Sequence, residues 1–242
     1  MKKAFFISDV HLGLEDKERE RAKERRLLSF FRRVGEEGDQ LYILGDLFDY
    51  WFEYKYVIPR GYHHVLSALG RLVEHGVEVR YLAGNHDFWL KDFFPSDLGI
   101  PVYKDPVGIT IGGKRFYLHH GDGLALRDAG YRLLKKVLRN RVSIFFFTLI
   151  HPDITAPIAK ASSKGSRQYT DRKDFGETDG MILCATDKIR EGYDFVVMGH
   201  RHVPLYQAIG RGVYINLGDW ISYSSYAEFD GSTIALKSWK ED

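Results

Sequence analysis

Aspartates, histidines and one asparagine recur in five short segments, each placed directly after an apolar run of β-type residues. They are Asp9-Val10-His11, Gly45-Asp46, Gly84-Asn85-His86-Asp87, His120-Gly121-Asp122 and Gly199-His200-Arg201-His202. One Gly-Asp or Gly-His pair is ordinary turn chemistry. Five of them, each closing a hydrophobic run, describe a set of metal ligands instead. Asp9 and His11 are two apart on an extended segment, so their side chains can share one side. Gly45 permits a sharp turn and close approach just before Asp46. Asn85, His120, His200 and His202 add neutral nitrogen and oxygen donors. A mixed carboxylate, imidazole and amide set suits Mn²⁺, Fe²⁺ or Zn²⁺, whereas Mg²⁺ and Ca²⁺ favour all-oxygen shells. The expectation is a two-metal hydrolytic site, in which paired cations lower the pKa of a water and neutralise phosphoryl oxygens.

Asp87 and Asp122 are expected just behind the ligands, orienting them through hydrogen bonds. The other histidines read as ordinary. His63, His64 and His75 belong to a helix between motifs, and His151 precedes a proline. His119 alternates against His120 on an extended run, so the two face opposite ways and His119 is assigned to packing.

Such a site needs strands whose carboxyl ends meet. Residues 3–8, 40–44 and 77–82 read as core strands, separated by helices over 21–36 and 62–75, the alternation of parallel βαβ units. Runs at 107–111 and 114–119 flank Gly112-Gly113, a two-residue hairpin signal. A helix over 177–190 and a strand over 194–198 follow. Runs at 205–209, 213–217, 226–229 and 233–239 are expected to be antiparallel, with Asp230-Gly231 turning the last pair. Residues 124–175 break the rhythm and read as a helical insertion, within one domain spanning 1–242.

Net charge is only +2, but it is unevenly spread. Between Ala125 and Phe175 stand eleven basic and four acidic residues, net +7, leaving −5 on the remainder. That field attracts anionic substrates or membrane surfaces. The insertion interleaves its cations with Ile144, Phe145, Phe146, Phe147, Leu149 and Ile150, a pattern suited to acyl chains or shallow membrane docking. It lacks the exposed aromatic and basic groove of a single-strand binder, so no nucleic-acid partner is expected. The lone cysteine, Cys184, lies in an apolar run and reads as a buried, inert thiol. With no disulfide possible, no signal-peptide pattern at Met1-Lys2-Lys3 and no membrane-spanning stretch, the expected location is cytoplasmic, peripheral to the inner face of the inner membrane.

The ordered set D-x-H, G-D, G-N-H-D, H-G-D and G-H-x-H resembles the calcineurin-like metallophosphoesterases. The resemblance implies a two-sheet β-sandwich flanked by helices (α-β-β-α) carrying the insertion. It implies that Asp9, His11, Asp46 and His202 hold one divalent metal, Mn²⁺ foremost. Asp46 would bridge to a second metal held by Asn85, His120 and His200, with Asp46, Asn85 and His86 catalytic. A narrower resemblance, in Leu41–Asp49 and in Asp128-Ala129-Gly130-Tyr131, is to the UDP-2,3-diacylglucosamine hydrolases of lipid A biosynthesis. That family cleaves the pyrophosphate of an acylated nucleotide sugar to UMP and 2,3-diacylglucosamine 1-phosphate. It implies substrate contacts at Asp128, Lys160, Ser163 and Arg167. One position departs from it: those hydrolases carry arginine where this chain has His86. Histidine is the general metallophosphoesterase form and keeps acid catalysis open for poor leaving groups. The alternative is therefore a phosphoesterase for another nucleotide, phosphodiester or phosphoprotein. A third reading, a non-catalytic scaffold, fits poorly with a complete ligand set.

Overall fold

The computed structural model describes residues 3–126, 129–155, 157 and 177–240. Two sheets face each other. The first has six strands in the order β11-β10-β1-β2-β3-β4. These are β1 (Lys3–Ile7), β2 (Gly38–Leu44), β3 (Glu78–Leu82), β4 (Val102–Tyr103), β10 (Ser225–Phe229) and β11 (Ile234–Ser238). The second is β5-β6-β7-β9-β8, from β5 (Val107–Ile111), β6 (Lys114–His119), β7 (Phe195–Met198), β8 (Leu205–Ile209) and β9 (Gly212–Asn216).

Helices α1 (Lys17–Glu37) and α2 (His63–Glu74) cover the outer face of the first sheet, and α6 (Glu177–Arg190) covers the second. The layers are α-β-β-α. Strand β1 shows why its sequence is apolar throughout. Phe5 and Ile7 point into the core beneath α1 and α2, while Ala4 and Phe6 point between the sheets. A strand buried on both faces has no polar alternation to show.

Three features differ from the sequence reading. Helix α1 starts at Lys17, not residue 21, because the Asp16 carboxylate accepts from the Glu18 and Arg19 N–H groups. The charged first turn has no apolar periodicity to announce it, and the N-cap supplies the start. Strand β4 and α3 (Phe93–Asp97) are two and five residues long, too short for a period to register. The C-terminal strands are not all antiparallel. The β8–β9 hairpin inserts β9 beside β7, and the antiparallel partner of an edge strand then runs parallel to β7. At Gly112-Gly113 both φ angles are positive, as the tight hairpin requires.

Between β6 and α6 the chain forms α4 (Ala129–Leu138) and α5 (Arg141–Thr148). This pair rests on the loops after β2 and β3. Tyr54 Oη donates to the Ile150 carbonyl at 3.1 Å, and Trp89 Nε1 donates to the Leu138 carbonyl at 3.4 Å. Phe147 packs on Phe52 and stacks on Trp89. Cys184 is half-buried rather than buried. Burial still pushes its thiol pKa up, which keeps it protonated and unreactive. Trp51 and Trp220 are fully buried in the core beneath α1.

Candidate metal centre

All five motifs lie beyond the carboxyl ends of β1, β2, β3, β6 and β7, so both sheets contribute to one edge. Past their last ladder bonds the β1 and β2 loops stay zipped. Asp9 N donates to Gly45 O (3.1 Å), His11 N to Asp46 O (2.9 Å) and Leu12 N to Leu47 O (2.9 Å). Asp9, His11, Asp46, His200 and His202 all have positive φ, between 48° and 71°. Only one other described non-glycine residue, Ser224, does so. Left-handed backbone at such residues costs about 1–3 kcal/mol each and persists where surrounding structure imposes it. Here the turn aims side chains inward that a continuing strand would point away. The glycines are needed for clearance: a Cβ at Gly199 would meet Asp9 Oδ2 at 2.5 Å, and one at Gly84 would collide with Asp46.

The donor atoms converge in three overlapping groups, each within 4.8 Å: Asp9, His11 and His202; His11, Asp46 and His86; Asp46, His120 and His200. Asp46 is shared by two. His120 Nε2 lies 3.3 Å from Asp46 Oδ2 and 3.0 Å from Asn85 Oδ1. His120 Nδ1 is 2.7 Å from the Leu44 carbonyl, which can only accept. The hydrogen is therefore on Nδ1, and Nε2 offers a lone pair to the site. His11 Nε2 and His202 Nε2 face each other at 3.2 Å, an approach that two lone pairs tolerate only around a proton or a cation. Asp9 Oδ1 is fully buried without a hydrogen bond. This set of facing lone pairs and orphaned carboxylate oxygen fits divalent cations.

The electrostatics agree. Burial opposes charge on His11 and His120, yet surrounding carboxylates outweigh it. Asp49, Asp9 and Asp46 raise His11 to about 9, and Asp46, Asp9 and Asp122 raise His120 to about 10. Asp46 is held well below the carboxylate range by its histidines despite complete burial. The pocket demands positive charge, and protons supply it where metal does not. His119 behaves differently. Burial lowers it to about 4, and its Nδ1 accepts from Gly121 N at 2.6 Å.

Asp87 is buried and fully used. It accepts from Leu47 N (2.9 Å), Gly84 N (2.7 Å) and the Tyr81 hydroxyl (2.5 Å), tying the Asp46 loop to the Asn85 loop. Asp122 pairs with Lys135 (2.7 Å) and Arg139 (2.8 Å), anchoring α4 beside His120. Its carboxyl pKa is lowered, the nearby His120, Arg139 and Lys135 outweighing burial. His63, His64, His75 and His151 lie outside the three groups. Asp128, Lys160, Ser163 and Arg167 lie outside the described residues.

Two carboxylates near the centre were not singled out from sequence. Asp49 sits between His11 Nδ1 (3.5 Å) and His86 Nδ1 (3.6 Å), and its carbonyl oxygen is 3.0 Å from His86 Nδ1. That carbonyl fixes the hydrogen on Nδ1. Asp219 Oδ2 stands 3.7 Å behind His202 Nδ1. Asp49 had a signal in its spacing from Asp46, whereas Asp219 comes from another strand end with none.

An α-β-β-α sandwich with paired carboxylate and histidine clusters at one sheet edge defines a two-metal hydrolase class. The profile described as Calcineurin-like phosphoesterase matches residues 2–204, and the chain belongs to that family. Among curated proteins it is similar to the UDP-2,3-diacylglucosamine hydrolase of Porphyromonas gingivalis, 35% identical over 99% of this chain and 98% of that one. Proteins of the same name from Photorhabdus laumondii (31%, covering 97% and 98%) and Nitrosococcus oceani (29%, covering 89% and 86%) also match.

Proposed function

We propose that this protein hydrolyses the pyrophosphate of UDP-2,3-diacylglucosamine, releasing UMP and 2,3-diacylglucosamine 1-phosphate for lipid A biosynthesis. The observation that carries the chemistry is the convergence of Asp9, His11, Asp46, His120, His200 and His202 on one sheet edge, with Asn85 against His120. Near-full-length similarity to hydrolases of that name supports the substrate.

In this reading Asp9, His11, Asp46 and His202 hold one divalent cation, and Asp46, Asn85, His120 and His200 hold the second. The mixed donors suit Mn²⁺, Fe²⁺ or Zn²⁺, and Mn²⁺ is the proposed ion, as the family resemblance implies. When bound, the pair lowers the pKa of a water and neutralises charge on the phosphoryl oxygens. The chain does the rest. Leu44 O and Asp49 O fix the tautomers of His120 and His86, and Asp87 locks the two central loops together. His86 Nε2 faces the site as an acceptor when neutral and as a proton donor when charged. Asp128, Lys160, Ser163 and Arg167 are proposed to meet the sugar and phosphates.

The exposed Phe145, Phe146, Leu149 and Ile150, flanked by basic residues, support peripheral binding to the cytoplasmic face of the inner membrane. No described helix is long and apolar enough to cross a membrane. Nucleic acid is not a proposed partner. His86, braced by Asp49, is the feature that favours the second reading, an ester with an alkoxide leaving group.

The test is turnover by chelated protein given Mn²⁺, with UDP-2,3-diacylglucosamine beside bis-p-nitrophenyl phosphate. UMP release far exceeding generic ester cleavage is the expected result. Generic cleavage with the lipid untouched overturns the substrate and keeps the two-metal chemistry.

A further inference from the structure

Phe88 directly follows the Asn85-His86-Asp87 motif, and cations gather around it. The Arg139 guanidinium lies 3.9 Å from its ring centroid and Lys104 Nζ lies 5.2 Å away. Lys91 Nζ sits 5.3 Å over the neighbouring Phe52 ring. They come from three places: the end of α4, the loop after β3, and the loop between β4 and β5. Arg139 reaches the loops that carry Asn85 and His120, with Nη2 3.4 Å from the Gly84 carbonyl and 2.8 Å from Asp122 Oδ2.

Their charges are poorly matched. Arg139 has Asp122, but among the described residues neither Lys91 nor Lys104 has a carboxylate in salt-bridge contact. The carboxylate that acts on Lys104 is Glu53, which is buried and hydrogen-bonded elsewhere. Its two oxygens accept from Trp51 Nε1 (3.0 Å) and Phe93 N (3.2 Å). Partial burial of its stem lowers the Lys104 pKa; Glu53 opposes that, and the neighbouring Lys91 and Arg139 add to it. Cations brought together at this cost are stabilised by an anion that visits rather than by one built in.

We propose that Lys91 and Lys104, with Arg139 behind them, form an anion subsite beside the metal centre for a pyrophosphate diester. It would take the phosphate that is not under attack. The inference rests on the two-metal reading of the site and deepens it. A two-phosphate ligand then gains over any one-phosphate ligand by reaching both centres. The shared chemistry is a phosphate monoanion, on the nucleotide side or the sugar side of the bridge.

The experiment uses full-length Mn²⁺-loaded protein at fixed free Mn²⁺, with bis-p-nitrophenyl phosphate as reporter. UDP-N-acetylglucosamine, UMP and N-acetylglucosamine 1-phosphate are compared as inhibitors. Wild type is expected to prefer UDP-N-acetylglucosamine over both one-phosphate ligands. In Lys91→Gln/Lys104→Gln that preference falls about tenfold, the scale expected when two charge-assisted hydrogen bonds are removed at an exposed site. Lys91→Arg/Lys104→Arg restores it. Which one-phosphate ligand also weakens in the Gln variant shows which side of the bridge the subsite holds. Both lysines are exposed, so the variants keep their fold, and Mn²⁺ stoichiometry confirms an intact centre. An unchanged preference, or no preference in wild type, overturns the proposal. Failure of the substrate reading is separate: it is absence of UMP release from the lipid while the pyrophosphate preference persists.

Discussion

At the scale of single residues the centre is a charge problem solved by histidine protonation or by metal. His11 and His120 have folded pKa values raised to about 9 and about 10 from an ordinary value near 6.5. A raised value means the metal-free fold is stabilised by protons fully bound below about pH 6.5, and that this stabilisation is lost as pH rises through 9 and 10. The melting temperature of chelated protein is therefore expected to fall steadily between pH 7 and pH 10. Mn²⁺-loaded protein should lack that slope, since cations replace the protons. Calorimetry at pH 7.5 in buffers of different ionisation enthalpy should also show about two protons released on loading. A metal-free melting temperature flat across this range would contradict the charge assignment. Asp87 gives a second residue-scale prediction. Asp87→Ala leaves Leu47 N, Gly84 N and the Tyr81 hydroxyl without a partner, at about 1–3 kcal/mol for each buried group. Chemical denaturation should show a loss of at least about 3 kcal/mol, with Tyr81→Phe losing about 1 kcal/mol. The residue types that converge at the centre were legible in the sequence, because few side chains can hold a cation. Their left-handed backbone was not. Glycine announces positive φ, but Asp9, His11, Asp46, His200 and His202 carry no such mark.

At the scale of elements, helix α1 does more than cover the sheet. Lys23 is wholly buried, and its ammonium donates to the His11 carbonyl at 2.8 Å. Glu20 (3.2 Å) and Glu15 (3.4 Å) neutralise it. Glu20 in turn accepts from Gly13 N and Glu15 N, so the first turns of α1 brace the loop that aims His11. Breaking a buried ion pair from one side costs about 3–5 kcal/mol, and the partial exposure of both glutamates reduces that. Lys23→Met is expected to lose about 2–3 kcal/mol in denaturant unfolding and to weaken Mn²⁺ binding several-fold in titration. Lys23→Arg cannot place a compact ammonium on the carbonyl and should recover only part of either. Strand and helix order was readable because apolar periods differ between the two. The brace was not, since a lysine in a run as charged as Lys17–Arg26 looks like solvated surface. The parallel β7–β9 pairing escaped for another reason: local pattern records how a strand is buried, not which neighbour it acquires.

At the scale of the whole molecule, the hairpin of α4 and α5 and the metal centre form one working face. The hairpin is held from beneath by Phe147 against Phe52 and Trp89, and by Asp122 against Lys135 and Arg139. Its outward side leaves Phe145 at 59%, Phe146 at 61% and Leu149 at 67% exposure, with Tyr56 and Val57 exposed on the loop that follows Tyr54. Side chains this exposed contribute little to folding, so replacing them leaves stability nearly unchanged. Inserted at a lipid interface, each phenylalanine would gain about 1–2 kcal/mol, somewhat less than full burial provides. Wild-type protein is thus expected to sediment with vesicles containing anionic phospholipid, and less with purely zwitterionic ones, because the insertion carries the chain's positive charge. Phe145→Ser/Phe146→Ser should weaken that partition at least about tenfold, with a melting temperature within a degree or two of wild type. Raised salt should weaken wild-type binding further by screening the electrostatic part while the apolar part persists. The same variant on a water-soluble ester should retain its rate, since neither ring reaches the metal centre, whereas turnover of a vesicle-borne substrate should fall with the partition. Equal vesicle binding by variant and wild type would assign these rings to another partner and leave the two-metal chemistry untouched.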